Sequence, residues 1–251
     1  MKRKRILGSW INSGSPVIAE LMSTLGFDFL TLDVEHSAVD LPQALHIFHA
    51  IRAGNPKCMP FVRTQGVEFS FVKRYLDAGA KGIIAPLVNT KEQAEELIRA
   101  VKYPPEGERG VGYCPANEFG SKVKEHFATA NDEIYAIVQI EHIDAVNNIS
   151  SILSVKGVDG VFVGPFDLSA SMGLTGQFDH PDYICARDKI LGKCKEAGIP
   201  VGIHVVEPNP EELEARVKEG FEILAYGLDI SLIPNACEGG INRWNKLSHS
   251  E

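Results

Sequence analysis

The sequence predicts an α/β fold, a (β/α)8 barrel, and three observations predict it. Short apolar runs rich in β-branched residues alternate with helix-like stretches along the whole chain, in eight strand–helix units. Glycines close several helix-like stretches, whereas polar and ionisable residues gather where the strand-like runs end. The 251 residues suit one such barrel, and no composition break divides them, so residues 1–251 read as a single domain.

Taken in order, Ile6–Ile11 is the first strand and Pro16–Leu25 the first helix, with Ser15 as cap, Pro16 at its first position and Gly26 as its stop. Phe27–Val34 and Leu41–Ala53 form the second unit. Cys58–Arg63 and Val67–Asp77 form the third, which ends at Gly79. Gly82–Val88 is the fourth strand; Thr90 then caps Lys91–Val101, with Gln93 placed for a capping box. Residues 103–132, dense at first in Pro and Gly, read as a long irregular segment. Tyr135–Glu141 and Ile143–Val155 resume the rhythm, followed by the strand Val158–Val163 and the helix Pro181–Ala197. Pro200–Val205, Pro210–Glu219, Phe221–Tyr226 and Ile230–Trp244 complete eight units, with Gly198 and Gly220 as helix stops.

Composition narrows the function. A net charge of −8 disfavours a nucleic-acid surface, and no apolar run approaches the roughly 20 residues of a membrane helix. The basic start Met1–Arg5 precedes too short an apolar stretch for a signal peptide and reads as a solvated tail. Five cysteines without a C-x-x-C pair suggest neither a disulfide framework nor a zinc knuckle, so the reading is a reduced, cytoplasmic protein.

In a barrel, residues that end strands share one mouth whatever their separation in sequence. Those ends offer Trp10, Asp33, Glu35, His36, Arg63, Pro86, Gln139, Glu141, Asp167, His204, Gly227 and Asp229. Strand alternation lets Gln139 and Glu141 point inward together. Glu141 and Asp167, on adjacent strands, can supply two hard oxygen ligands for Mg2+, or for Mn2+ or Co2+. Each residue also has a plainer reading. Asp167 or Ser169 can open a helix, Glu141 can favour a helix N-terminus, Arg63 can balance Asp33 or Glu35, and His36 can bond a loop. No lysine occurs in the strand segments, since Lys57, Lys81 and Lys156 precede strands; imine chemistry is disfavoured.

The assembled pattern resembles the HpcH/HpaI family of class II, metal-dependent 2-oxo-acid aldolases over nearly the whole chain. It is carried by Gly8 and Trp10, Phe27–His36, Phe61–Arg63, Leu76–Ala80, Tyr103–Gly112, Val138–Glu141 and Gly157–Ser169. The resemblance implies a phosphoenolpyruvate/pyruvate-type barrel that reversibly cleaves a 4-hydroxy-2-oxo acid to pyruvate, or a related 2-oxo acid, and an aldehyde. It implies Glu141 and Asp167 as ligands of a divalent metal that stabilises an enolate, Arg63 beside the keto oxygen, and His36 as proton shuttle. It places Trp10, Gln139, Gly164, Pro165, Phe166 and Leu168 at the substrate, with the amides near Phe166–Leu168 gripping its carboxylate. It pairs His36 with Asp77, which a helix end puts on the wrong face of its own barrel; supply from a neighbouring subunit of a homo-oligomer, a hexamer or trimer, resolves this.

Two departures stand out. Phe166 replaces the alanine of the usual G-P-A-D-L-S, and Tyr113–Gly120 follows no pattern of the family. Three rival readings remain at this point: a citrate-lyase-β-like lyase of a CoA thioester, a catalytically silent binding barrel, and a zinc hydrolase using His36, His142 and His204.

Overall fold

The computed structural model describes residues 5–248; most of the basic tail, residues 1–4, lies outside them. The chain runs β1 (Ile6–Ile11), α1 (Pro16–Ser23), β2 (Phe29–Asp33), α2 (Leu41–Gly54), β3 (Met59–Arg63), α3 (Phe69–Ala78), β4 (Gly82–Ala85), α4 (Lys91–Val101). After a 3-10 turn at Pro115–Gly120 come α5 (Val123–Glu133), β5 (Tyr135–Ile140), α6 (Ile143–Asn147), α7 (Ile149–Leu153), β6 (Gly160–Val163) and α8 (Pro165–Ser171). The last elements are α9 (Pro181–Ala197), β7 (Val201–Val205), α10 (Pro210–Glu219), β8 (Ile223–Leu228) and α11 (Asp229–Ser248). The strands pair in sequence order, all parallel, and β8 pairs back onto β1 to close the barrel.

Alternation sends one face of each strand inward. Ile6, Trp10, Phe29, Phe61, Ile84, Ile137, Phe162 and Ile223 build that interior. Phe29 stacks on Phe61 with ring centroids 5.0 Å apart, and a side chain on the facing Gly8 would collide with Phe29. The opposite strand faces, among them Leu30, Leu32, Val62, Ile83, Val138 and Ile140, pack beneath the helices. Burial on both faces is why these strands read as continuous apolar runs.

Helix ends follow local chemistry. Thr90 and Gln93 form the expected capping box, and Asp40 and Gln43 form another on α2. Gly198 and Gly220 end α9 and α10 with φ of +69° and +110°. Thr24 rather than Gly26 caps α1.

Several boundaries differ from expectation. Residues 103–132 are not irregular throughout, because α5 occupies their end; only Ala130 of α5 is buried, so its apolar periodicity is faint. The helix expected over Ile143–Val155 is two short ones, parted at Asn148, whose φ and ψ of −92° and 5° break the repeat. Strand β4 stops at Ala85 instead of Val88: Pro86 lacks an N–H for the ladder, and Leu87 turns left-handed at φ +53°. Strand β2 begins two residues later than expected, at Phe29, and the Asp28 side chain just before it accepts the Leu7 N–H at 3.0 Å.

Candidate active site

Parallel register brings the last residue of β2, Asp33, beside the last residue of β3, Arg63. The carboxylate grips the guanidinium with both oxygens, from Nε at 3.0 Å and Nη2 at 2.7 Å. Glu35 approaches the same Nε at 3.2 Å. Burial disfavours the Asp33 carboxylate, but Arg63, the His36 N–H and the Asn12 amide together hold its pKa below the usual range. Burial pushes Glu35 upward against the pull of Arg63 and His36. Arg63 also lies 4.4 Å above the Trp10 ring, whose indole N–H is buried without a partner.

Across the mouth, β5 delivers Gln139 inward and Glu141 follows its last residue. Glu141 is 3% exposed. One of its oxygens accepts the Leu87 N–H at 2.8 Å, and the other accepts from the Gln139 amide. Burial raises the Glu141 pKa, opposed by those two donors and reinforced by the nearby Asp167. Any side chain on Gly164 would strike the Glu141 carboxylate, which explains a glycine there.

The helix-cap reading of Asp167 does not hold. Gly164 is the N-cap of α8, without a side-chain cap, and Asp167 lies exposed in the first turn. The Ser169 hydroxyl donates to the Phe166 carbonyl at 2.8 Å and does not cap either. The helix-terminus reading of Glu141 yields to His142, whose Nδ1 accepts the Asp144 N–H and caps α6. The balancing reading of Arg63 is borne out by its ion pairs, which also aim it into the mouth.

A cavity of about 210 Å³ unites Trp10, His36, Arg63, Gln139, Gly164, Pro165, Phe166 and Asp167. Three expected residues do not line it, and Glu141 is buried just behind Gly164. Leu168 is fully buried and spends its N–H on the Gly164 carbonyl at 3.0 Å, so it has no amide left for a ligand. Asp77 sits at the end of α3 and pairs with buried Arg109 at 2.8 Å. Among the other strand-end residues, Asp229 is structural: it accepts the N–H groups of Asn12 and Ser13 at 2.9 and 3.0 Å. Pro86 and Gly227 do not line the cavity, and none of the described lysines does.

His204 stacks on Trp10 at 5.1 Å, and its Nε2 donates to the Gly227 carbonyl at 2.8 Å. Burial, helped by Arg63, pushes its pKa down to about 4 against the pull of that carbonyl. The unfolded chain therefore binds a proton that the folded chain refuses between pH ~6.5 and ~4. Stability should fall across that window on acidification, by on the order of 3 kcal/mol from this group. Urea unfolding at a series of pH values should show a shallower acid slope for His204→Gln. With His204 neutral and held, and His142 capping a surface helix, the three-histidine zinc reading fails. Among the described residues no three His, Cys, Asp or Glu side chains gather as a metal nest.

The donor set nevertheless suits a hard divalent cation. It offers two carboxylates, Glu141 buried and Asp167 exposed, and the buried Gln139 Oε1 has no partner. Mg2+ is commonly held by one or two carboxylates with the remaining positions open to water and substrate.

Reading strand ends overlooked Asn12, which follows β1 directly, lines the cavity and donates to Asp33 at 3.0 Å; the same rule applied one residue further finds it. Leu87 carried no such signal, because its contribution is a backbone N–H in a left-handed conformation.

The HpcH/HpaI aldolase/citrate lyase family model matches residues 6–236. A hydroxypyruvate/pyruvate aldolase of Roseobacter denitrificans is 34% identical over 242 residues, 96% of this chain and 93% of that one. A 4-hydroxy-2-oxo-heptane-1,7-dioate aldolase of Shigella sonnei is 37% identical over 234 residues, 92% and 87% of the two chains. The crystal structure of an HpcH/HpaI aldolase/citrate lyase family protein from Burkholderia cenocepacia superposes with a TM-score of 0.91 at 32% identity, covering 96% of this chain and 95% of that one.

Proposed function

The chain belongs to the HpcH/HpaI aldolase/citrate lyase family and is an aldolase, a carbon–carbon lyase; on that premise we propose that it reversibly cleaves a 4-hydroxy-2-oxo acid to pyruvate, or a related 2-oxo acid, and an aldehyde. The observation that carries this reading is the gathering, at neighbouring strand ends, of Arg63 and Asp167, which line the mouth, with the buried carboxylate of Glu141, which lies behind Gly164 within electrostatic reach of both.

Glu141 and Asp167 would hold Mg2+, Mn2+ or Co2+, which when bound supplies a Lewis acid for the substrate carbonyl. Gln139 steers the Glu141 carboxylate and leaves its own oxygen facing the site. In the cleavage direction His36, at the exposed rim, takes the proton of the 4-hydroxyl. The C3–C4 bond then breaks, the aldehyde departs, and negative charge collects on the 2-oxo oxygen. Asp33 occupies Nε and Nη2 of Arg63, leaving Nη1 to meet that charge. Trp10 floors the pocket under Arg63, and the free N–H groups of Phe166 and Asp167, at the start of α8 behind Gly164 and Pro165, can bind the carboxylate.

Incubating the protein with pyruvate and Mn2+ in deuterium oxide should exchange the methyl protons, and excess chelator should stop the exchange. A protein that leaves the methyl group unexchanged with metal present is not this aldolase.

Asp77 supports the proton shuttle only from a second copy, so the working unit is a homo-oligomer, a trimer or hexamer. Two exposed apolar surfaces support this: Tyr113 and Phe119 beside α3, and Ile241, Trp244 and Leu247 on the outer half of α11. Light scattering should give a multiple of 27.4 kDa; a monomer would remove Asp77 from the mechanism. A reducing, cytoplasmic setting is supported by five free cysteines, and no described helix is long and apolar enough to cross a membrane.

A further inference from the structure

The mouth is chemically mixed. Its lining includes the charged Arg63, Asp33 and Asp167 and the apolar Phe162, Phe166, Val206 and Leu228. Phe166 is braced edge-on against Phe178, with ring centroids 5.0 Å apart. Val206 and Leu228 belong equally to a second depression of about 560 Å³, which continues past Ile230 and Pro234 along the first turns of α11. The charged side chains lining that groove are Glu207 and Glu238, both acidic. Among the described residues, the one guanidinium or ammonium lining the mouth is that of Arg63, already paired with Asp33 and Glu35.

A carboxylate on the far end of an aldehyde would find, among the described residues lining these two depressions, no cation without a carboxylate partner, and would face two like charges. An alkyl tail would exchange water for apolar wall. We infer that the aldehyde partner is uncharged and carries an apolar tail, which leaves the mouth between Val206 and Leu228 and lies in the groove along α11. This rests on the aldolase reading above and names the class of its second substrate. In the synthetic direction, pyruvate's methyl carbon loses a proton and bonds to the aldehyde carbon, whose oxygen takes up a proton; no redox partner is needed. The tail takes no part in these steps, so the groove acts on affinity and selectivity.

The test compares kcat/KM for pyruvate addition to propanal, pentanal and succinate semialdehyde with Mn2+ present. Each methylene buried should raise it about three- to fourfold, so pentanal should exceed propanal by about tenfold. Pentanal should exceed succinate semialdehyde by at least tenfold. Val206→Lys, which sets an ammonium at the junction, should narrow that second ratio by at least fivefold. Methyl-proton exchange into pyruvate, which needs no aldehyde, is measured on the same preparation. With exchange intact, a flat or reversed order of aldehydes, or a ratio unmoved by Val206→Lys, overturns the groove assignment alone. Absent exchange overturns the aldolase reading and this inference with it.

Discussion

Arg63→Met should lower kcat/KM for cleavage about a thousandfold, because one side chain serves two purposes in this barrel. The guanidinium is the positive group available to an oxygen that gains charge as the C–C bond breaks, and removing one such donor typically lowers turnover by about 10²–10³. It is also the counter-charge of Asp33, which is 1% exposed, and of partly buried Glu35. Removing it leaves uncompensated buried charge, a destabilisation of about 3 kcal/mol. Both effects are measurable on one preparation, by pyruvate release and by urea unfolding. Arg63→Lys separates them: an ammonium restores the charge but not the two-point grip on Asp33, so partial activity should return. Activity of Arg63→Met within threefold of the parent would falsify the assignment.

The second large effect is expected at Glu141, and there activity and stability should move in opposite directions. Glu141→Gln keeps the shape and an oxygen for the Leu87 N–H but removes the charge. Methyl-proton exchange should drop by at least a thousandfold, and Mn2+ should no longer raise the melting temperature. The metal-free variant should nevertheless be at least as stable as the parent at pH 7, because the parent buries a carboxylate whose pKa burial has raised. The sign follows from linkage. The folded state holds its proton more tightly than the unfolded one, so the parent loses stability as pH rises from the unfolded value through the folded one. The variant lacks that loss. A metal-free variant markedly less stable than its parent would mean that Glu141 is a structural group.

Much of the site was legible because a parallel barrel converts chain order into spatial order. Trp10, His36, Arg63, Gln139 and Asp167 lie far apart in sequence, yet each lies within a few residues of a strand's carboxyl end, and closure brings them to one cavity. Asn12 was equally legible and lay one residue beyond the positions considered. Leu168 was misjudged because its apolar side chain says nothing of its amide, which α8 already uses. Helix α5 was hidden for a related reason: a helix that buries only one alanine leaves little apolar rhythm to read.

Local chemistry therefore determines the alternation of elements, the caps at Thr90, Gly198 and Gly220, and the residue types that strand ends carry, because propensity, alternation and capping act within a few residues of sequence. What needed the closed barrel was the choice between roles. Asp167 could open a helix until Gly164 proved to be the cap, and Glu141 could serve a helix terminus until His142 took that place. Arg63 could face any of several acids until register set it beside Asp33. The electrostatic state of Glu141 likewise depends on groups from three other strand ends, Leu87, Asp167 and Arg63. Hydrogen bonds and burial between residues so distant in sequence exist only once the ring of strands has closed, and they decide which carboxylate is free to meet a ligand.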